Sequence, residues 1–516
     1  MSRTRRILGG TAISYIHQAT IILVGLWLTP FLLHRIGQQG LGLWLVAGQV
    51  LGYLALIDLG VVAILPREVA FASGQSNIDD LTEHIGSLVG RVRRIVRWQV
   101  VGLSATCLFV WWILPAEWVS LKWPLALVFV VFVASYPLRV VTATLQGLQE
   151  LPFLAQSQMV GWALSAMATV ALVLSGMGLY ALVIGWIVAQ LVPALAGWWR
   201  LRSRWPAIMS PKTTRPVDQY FHRSIWVSVG QIAQVLLAGS DVLLLGRLLG
   251  AAAVVPYACT GKLVTVFANH PQLLMHAAQP ALSELRASDS RHRLANVATA
   301  LTQAMLIMSG ALVVTILPVN HFFVMWWVGT TQYGGWWLSL AFAAMMLLRH
   351  WNVSTVYTLF CFGYERQISL TSLLDGIVTV VLTVLLVWKW GPIGAPVASI
   401  IGVAVVSLPI NVRSVAHEMG LTVGAFVATI APLILRIVVI GLAAALGSTY
   451  VDDRSLVGVL SLLVPIVLLY AAAVGPLAWN GPVGPYLRLA LPMLRRRAPA
   501  PEVTPPFVPL VDTKQG

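Results

Sequence analysis

The sequence has few charged residues and very few cysteines for its length. Only 10% of its 516 residues are charged, and three are cysteine. Soluble proteins of this size carry roughly a quarter charged residues, so the composition excludes an ordinary soluble enzyme or binding domain. The cysteines Cys107, Cys259 and Cys361 are widely spaced and match neither a disulfide framework nor a metal-binding pattern. We expect them to be buried free thiols.

Motifs for hydrolysis, nucleotide chemistry and metal binding are also missing. The sequence contains no HExxH, no GxSxG, no P-loop and no histidine cluster with the spacing of metal ligands. No segment between the apolar runs is long enough to form a catalytic domain. We therefore predict that the protein is not an enzyme and needs no metal or other cofactor.

Long apolar runs dominate what is present. The chain is 58% hydrophobic with a mean hydropathy of +0.83, and runs of about 20 apolar residues recur from end to end, as in transmembrane helices. This pattern predicts an all-α integral membrane protein with about 14 transmembrane helices. The predicted spans are 9–32, 42–65, 98–115, 124–146, 153–175, 179–199, 224–246, 251–280, 298–317, 335–360, 367–388, 392–410, 424–447 and 455–477.

Basic residues are distributed unevenly between the two sides of these spans. Most Lys and Arg residues fall before the first span, in 66–97, in 200–223, in 281–297 and after the last span. The opposite side holds only Arg35, Lys122, Arg247, Lys389 and Arg454. By the positive-inside rule, both termini are predicted to be cytoplasmic. The formal net charge of +15 is thus a topology signal, and no basic soluble domain suggests a nucleic-acid partner.

Seven charged residues lie within the predicted spans. A charge facing lipid near the bilayer centre costs about 2.5–3.5 kcal/mol, so we expect these side chains to face one another or water. The seven are Asp58, Arg139, Asp241, Lys262, Arg349, Asp375 and Arg436.

Several of these charges belong to polar stripes at helical spacing. In 251–280, steps of three and four residues place six polar side chains on one face of one helix. Interhelical hydrogen bonding is one explanation, but stripes that contain Lys or Arg with amides favour a basic, water-filled central cavity. The stripes are Lys262, Thr265, Asn269, Gln272, His276 and Gln279; Ser135, Arg139, Thr142, Gln146 and Gln149; and a polar segment with Arg349 and Asn352.

A short internal repeat predicts two halves that run in the same direction. "RIGQQGLGLWLVAG" (35–48) aligns with "RLLGAAAVVPYACTG" (247–261), with Gly37 on Gly250 and Trp44 on Tyr257. An even number of spans separates the copies, which favours two parallel six-helix bundles around a central cavity. The predicted units are a bundle at 1–199, a basic linker at 200–223, a bundle at 224–410, a helix pair at 424–477 and a basic, Pro-rich tail at 478–516.

Two stretches resemble a known family. "TPFLLHRIGQQGLGLWLVAGQVLGYLALIDLGVVAILPREVA" (29–70) resembles the start of the polysaccharide and O-antigen flippases of the multidrug/oligosaccharidyl-lipid/polysaccharide (MOP) exporter superfamily. "DVLLLGRLLGAAAVVPYACTGKL" (241–263) is similar to the opening of their second half. The resemblance implies a location in the bacterial inner membrane. It also implies that a polyprenyl-pyrophosphate-linked oligosaccharide moves from the cytoplasmic to the periplasmic leaflet by alternating access, with polysaccharide polymerase and export machinery as possible partners. The alternatives are a multidrug antiporter of the same superfamily and a lipid II flippase.

The polar residues within the spans supply candidates for each task. We predict pyrophosphate capture by Lys262, Arg349 and Arg139, because cations in a wet cavity replace the lost hydration of phosphate oxygens. Asp58 and Asp241 are candidates either for binding a coupling proton or sodium ion or for structural pairing. The predicted sugar contacts come from the amides of Asn269, Gln272, Gln279, Gln146 and Asn352.

Overall fold

The computed structural model describes most of the chain as helix. The described ranges are 3–54, 78–209, 219–275, 291–448 and 455–488, with residues 62, 65, 66, 68–70, 278, 282 and 450 between them. Within these ranges, side chains are described except at 3–19, 78–84, 219–228, 238, 291 and 292.

The helices follow the apolar runs in order along the chain. The first half contains α1 (Arg3–Leu54), α2 (Ile78–Trp112), α3 (Val119–Ser135), α4 (Leu138–Gly147), α5 (Leu151–Leu174), α6 (Leu179–Arg204) and α7 (Pro206–Met209). The second half contains α8 (Gln219–Leu248), α9 (Ala251–Thr260), α10 (Lys262–Phe267), α11 (Arg291–Val328), α12 (Trp336–Cys361), α13 (Glu365–Trp390), α14 (Gly394–Gly402) and α15 (Leu408–Glu418). A π-helical turn, Val403–Ser407, joins α14 to α15, and a final pair follows with α16 (Val423–Gly447) and α17 (Leu456–Asn480).

The protein is an all-α, multi-pass membrane protein. In the described part of the chain, nine helices are long and apolar enough to cross a membrane, or up to 11 if each bent helix pair forms one span. The predicted number of 14 is therefore not reproduced, partly because helices join: α1 runs through two predicted spans with a kink at Gly37. Part of the predicted span 42–65 lies outside the described residues.

The two glycines aligned by the repeat adopt the same backbone conformation. Gly37 has φ 84° and ψ 166°, and Gly250 has φ 88° and ψ 154°. This region is accessible almost only to glycine, because a Cβ would clash with the neighbouring backbone. Each glycine breaks the helical conformation just before a helical segment, and the two breaks occupy equivalent positions in the two halves. The backbone thus supports the repeat found in the sequence.

The two halves meet where the second part of α1 runs antiparallel to α8 and the start of α9. Gly42 lies against the Ala251 carbonyl, Val46 against Gly246, and the Gln49 side chain against Gly239. A Cβ added at any of these three glycines would collide with the facing atoms. Small residues at such positions let two helix backbones approach closely within a membrane.

The helix pair at the C-terminal end packs on one helix of the second half. Both α16 and α17 contact α11 and each other. The Tyr470 hydroxyl donates to the Ile307 carbonyl at 2.6 Å, and the Gln303 amide donates to the Thr429 carbonyl at 3.1 Å. These bonds hold the pair beside the second half, at the side of α11.

The described helices cross four of the unit boundaries expected from sequence. The proposed linker 200–223 is partly helical, because α6 continues to Arg204 and α8 begins at Gln219. The proposed bundle end at 410 falls inside α15, and α17 extends to Asn480. The division into two bundles, a linker, a pair and a tail remains a prediction at the level of boundaries.

Candidate functional site

One cavity of about 560 Å³ opens between the two halves. It is lined mainly by the first half, with Gln231 of α8 contributed by the second. Its polar lining consists of one cation, several amides and hydroxyls, and its apolar lining includes Phe132 and Trp186. Among the described residues lining it, none is acidic. The polar residues of this cavity, called the amide cavity below, are Ser135, Tyr136, Arg139, Thr142, Gln146, Gln158, Gln190 and Gln231.

A second cavity of about 390 Å³ lies against the second half and α1. It contains one cation, Lys262, and one described carboxylate, Asp241. The Trp327 ring faces Lys262, with the ammonium nitrogen 6.0 Å from the ring centroid. The polar residues of this cavity, called the lysine cavity below, are Thr29, Gln49, Ser240, Asp241, Tyr257, Lys262, Thr265, Thr379, Thr383 and Ser399.

The contact of α1 with α8 and the start of α9 is called the seam between the halves. The two cavities follow one another along this seam. On α1, Gln49 lines the lysine cavity, and Leu51 and Gly52 line the amide cavity. On α8, Leu237 lines the lysine cavity and Gln231 the amide cavity, a separation of roughly 9 Å at 1.5 Å per residue. Lys262 and Arg139 therefore lie in neighbouring cavities and do not share one vestibule.

Each of these two cations follows an interruption of its helix. Arg139 is the second residue of α4, which starts after Pro137, where the missing N–H breaks the hydrogen bonds of α3. Lys262 is the first residue of α10, after a bend of 58°. At that bend a Cβ on Gly261 would press on the Phe342 ring. The Arg139 guanidinium carbon lies 5.4 Å from the centre of the Tyr136 ring.

Asp241 is held by two hydrogen bonds at the wall of the lysine cavity. The Tyr257 hydroxyl donates to its Oδ2 at 2.5 Å, and the Val242 amide donates to its Oδ1 at 2.8 Å. Within the described residues, no ion pair joins Asp241 to Lys262. Lys262 is thus a cavity cation without a carboxylate partner in the described part of the chain.

Arg349 is not a cavity cation. Its Nη1 donates to Asp375 Oδ2 at 2.6 Å, and its Nη2 donates to Asp375 Oδ1 at 3.2 Å. Its Nε donates to Ser399 Oγ at 3.0 Å, so all three nitrogens are engaged. Asp375 is fully buried and also accepts from Thr379 and Ser407. This pairing argues against the predicted role of Arg349 in phosphate capture.

Among the predicted sugar-binding amides that the structure describes, one lines the amide or the lysine cavity. Gln146 lines the amide cavity, whereas Asn352 is buried and accepts a hydrogen bond of 2.9 Å from Asn411. Asn269 is exposed and Gln272 is half-buried, and neither belongs to the two cavities. The chain is helical from Lys262 to Met275 apart from one turn residue at Ala268, so Asn269 and Gln272 keep the helical spacing without lining either cavity. Gln279 and Asp58 lie outside the described residues.

The structure adds polar residues that the stripes do not contain. Gln158 and Gln190 stand on α5 and α6 and reach the amide cavity, and Gln49 on α1 reaches the lysine cavity. Each is an amide within an apolar span; Gln49 and Gln190 are isolated there, and Gln158 follows Gln156 and Ser157. The presence of an amide within a span is the sequence signal that could have identified them, since a buried amide in a span needs a partner or water.

Contacts close the seam at the end of the molecule where Gly37 lies. Gln38 donates to the Ala252 carbonyl at 2.8 Å and accepts from Gln332 at 3.1 Å. The Trp327 indole N–H donates to the Leu26 carbonyl. These bonds join α1 to the second half beyond the lysine cavity, so the amide cavity lies on the far side of the closed end.

Comparison with known proteins identifies the fold and matches part of the chain to a family model. Residues 116–341 match the family described as "Polysaccharide biosynthesis protein". The structure is similar to the lipid II flippase MurJ in an inward closed conformation, with a TM-score of 0.58 and 12% identity over 89% of this chain and 98% of that one. It is also similar to an inward-facing multidrug resistance MATE family transporter of the MOP superfamily, with a TM-score of 0.54 and 11% identity over 81% and 99% of the two chains. The chain has the fold of these transporters.

A further solved structure has the same fold. A MOP superfamily transporter from Pyrococcus furiosus, described as having a binding pocket of reverse polarity, matches with a TM-score of 0.54 and 12% identity over 81% of this chain and 97% of that one. No curated protein sequence matches the chain. The similarity of the fold to MOP superfamily transporters agrees with the resemblance seen in 29–70 and 241–263, and the family match includes the second of these stretches.

Proposed function

We propose that this protein is a flippase of the MOP superfamily for a polyprenyl-pyrophosphate-linked oligosaccharide in surface polysaccharide biosynthesis. It moves this lipid from the cytoplasmic to the periplasmic leaflet of a bacterial inner membrane. The observation that carries the proposal is the match of residues 116–341 to a polysaccharide biosynthesis family in a chain whose seam cavities each hold one cation.

The charges of the two cavities support an anionic cargo. A pyrophosphate carries about two negative charges, and moving them unpaired through hydrocarbon would cost tens of kcal/mol. Lys262 has no carboxylate partner in the described part of the chain, and no described acid lines the amide cavity. A multidrug antiporter that carries cationic drugs would instead need a cavity with net negative charge.

The remaining lining supports recognition of sugars. The amide cavity combines the side-chain amides of Gln146, Gln158, Gln190 and Gln231 with the Trp186 and Phe132 rings. Amides donate to and accept from sugar hydroxyls, and aromatic faces cover the apolar faces of sugar rings. We assign pyrophosphate capture to Lys262 and Arg139, and sugar contact to the amide cavity.

The closed end supports alternating access. The positive-inside rule places Arg35, beside Gly37, on the periplasmic side. The contacts of Gln38 and Trp327 then close the periplasmic end, and the amide cavity faces the cytoplasmic end, where the lipid-linked glycan is made. Rocking of the two halves about the α1–α8 seam would expose the same cavities to the other leaflet.

Asp241 is our candidate for ion coupling. It lines the cavity that holds Lys262, whereas Asp375 is already neutralised by Arg349. We expect Asp241→Asn to abolish the dependence of transport on a proton or sodium gradient in proteoliposomes. Tyr257→Phe removes a hydrogen bond but keeps the carboxylate, so this control should remain coupled. Coupled transport by Asp241→Asn would assign Asp241 to structural pairing.

A double substitution tests the cargo assignment. Lys262→Gln with Arg139→Gln should leave protein levels intact but trap lipid-linked oligosaccharide on the cytoplasmic leaflet, because both cavity cations are lost. The assay measures surface polysaccharide and the leaflet in which the lipid-linked intermediate accumulates in a strain that depends on this protein.

The matched control replaces two exposed basic residues away from both cavities, Lys389→Gln with Arg413→Gln. This control should export normally. Unchanged surface polysaccharide in the cavity variant would refute the assignment of both cations. Accumulation of lipid II in place of the oligosaccharide lipid would favour the lipid II flippase, and loss of drug resistance alone would favour the multidrug antiporter.

A further inference from the structure

A third cavity lies apart from the seam, between α11 and the helix pair α16–α17. Its volume is about 390 Å³, and it contains one cation, Arg436. None of its lining residues belongs to the amide or lysine cavity, and no described lining residue is acidic. Its other polar lining residues are Gln303, Thr429 and Asn480.

Arg436 is positioned so that its charge points toward one membrane surface. It is near the middle of α16, is exposed, and donates from Nη1 to the Ala473 carbonyl of α17 at 2.6 Å. Side chains on a helix lean toward its N-terminal end, and here that end lies beside the C-terminal end of α17. Ala473 is seven residues before Asn480, so the guanidinium lies roughly 10 Å from the end of α17.

The mouth of this cavity has the features of a membrane interface. Trp479 is exposed at the end of α17, and tryptophan is enriched at the level of lipid head groups. Arg488 stacks on the Trp479 ring with 5.2 Å from the guanidinium carbon to the ring centroid, and it donates to the Trp479 carbonyl at 3.1 Å. A second cation therefore lies next to the mouth.

The donors that remain in the cavity fit an anion. The Gln303 amide nitrogen and the Thr429 hydroxyl are occupied, by the carbonyls of Thr429 and Phe426. Arg436 Nη2 and Nε and the exposed Asn480 amide have no hydrogen-bond partner among the described residues. An exposed guanidinium at this depth of a span needs a counter-charge, and two of its nitrogens can bind two oxygens of one phosphate.

We propose that this cavity binds the phosphate of an anionic membrane phospholipid, with Arg436 and Asn480 as donors. The glycerol phosphate lies inside the cavity mouth, between the head-group level marked by Trp479 and Arg436, and its acyl chains remain in the bilayer beside α16 and α17. The bound lipid neutralises Arg436 and fastens the helix pair to α11. This site is separate from the transport cavities, so the proposal goes beyond the flippase function and does not rest on it.

Native mass spectrometry of the full-length, delipidated protein tests this site with phosphatidylglycerol as the probe. The wild-type protein should retain one phosphatidylglycerol molecule more tightly than phosphatidylcholine, whose choline cation offsets the phosphate charge. Arg436→Gln should weaken this binding at least about tenfold, since a charge-assisted hydrogen bond is lost. Arg436→Lys keeps the charge and should retain part of the affinity.

Two further variants separate binding from folding and from surface charge. Asn480→Ala changes an exposed side chain at a helix end and should weaken phosphatidylglycerol binding without unfolding the protein. Arg413→Gln removes an exposed cation elsewhere and should bind as the wild type does. Equal binding by the wild type, Arg436→Gln and Asn480→Ala would overturn the proposal. Displacement of phosphatidylglycerol by a lower concentration of polyprenyl pyrophosphate would also overturn it, because the site would then belong to the transported lipid.

Discussion

Arg349 and Asp375 form a buried ion pair with dense hydrogen bonding. The two residues stand on α12 and α13, and Ser399 and Ser407 bring α14 and the π-helical turn into the same network. Two charges within a span offset each other when the geometry is good and the remaining polar atoms are satisfied. The pair therefore binds three helices of the second half together, beside the lysine cavity to which Thr379 and Ser399 contribute.

Breaking this pair should destabilise the protein strongly. We expect Arg349→Gln or Asp375→Asn to lower the free energy of unfolding by about 3–5 kcal/mol, because one buried charge is left without its partner. The double variant should lose less than the sum of the two. Thermal unfolding in detergent measures the effect.

The control is a cation of a more exposed pair. Arg204 contacts Glu150 at 3.3 Å, and its side chain is 51% exposed. Arg204→Gln should therefore change stability by only about 0–1 kcal/mol. Equal melting temperatures for Arg349→Gln and Arg204→Gln would contradict the structural role of Arg349.

At the level of helices, Gly37 and Gly250 each interrupt the helical backbone at matching positions of the two halves. Each interruption sets where the next helical segment begins to pack against the other half. Both glycines have positive φ with extended ψ, and no neighbouring atom crowds either position. The constraint is thus in the backbone and not in the packing. It lets α9 begin immediately against α1, where Ala251 meets Gly42.

Gly250→Ala should therefore destabilise the fold although space exists for a methyl group. A residue with a Cβ held in this region of φ and ψ costs about 1–3 kcal/mol. Gly48→Ala is the matched control, because Gly48 is helical and also has open space. That control should be neutral or slightly stabilising, since alanine favours helix more than glycine does. A melting temperature of Gly250→Ala equal to that of Gly48→Ala would show that the backbone break is not required.

In the whole molecule, the two halves touch along one seam and are closed at one end. Three hydrogen bonds made by Gln38 and Trp327 are the polar contacts described at that end. Each is of ordinary strength, about 0.5–1.5 kcal/mol net. A closure of this kind can open without a large energetic barrier, as alternating access requires.

Locking this end should stop transport. Cysteines in place of Gln38 and Gln332, in a variant lacking the three native cysteines, should react with a short bifunctional thiol reagent, because the wild-type side chains are 3.1 Å apart. Cross-linking should block export, and reduction of a disulfide-containing linker should restore it. Each single-cysteine variant serves as the control. Normal export after complete cross-linking would show that this end does not open during transport.

The sequence predicted which polar residues lie within the membrane spans much better than it predicted which side chains they contact. Polar residues such as Arg139, Gln146 and Lys262 were identified from spacing alone, and each lines a cavity. Arg349 has the same sequence signal, but its neighbour across the helix interface is Asp375. Helical spacing tells which residues share a face, whereas the identity of the opposing face depends on how each helix is rotated against the next.

By itself, the amino-acid sequence determined that the chain is a bundle of membrane-spanning helices with two related halves. Hydropathy, glycine placement and the asymmetry of Lys and Arg are local properties, and the transfer of each segment into the bilayer depends mainly on that segment. Only the tertiary structure decided that the cations are divided between two cavities, that one arginine is neutralised by an aspartate, and that a third cavity lies beside the last helix pair. Those features depend on contacts between segments far apart in the chain, since a charge in a low-dielectric interior is governed by whichever group packing brings next to it.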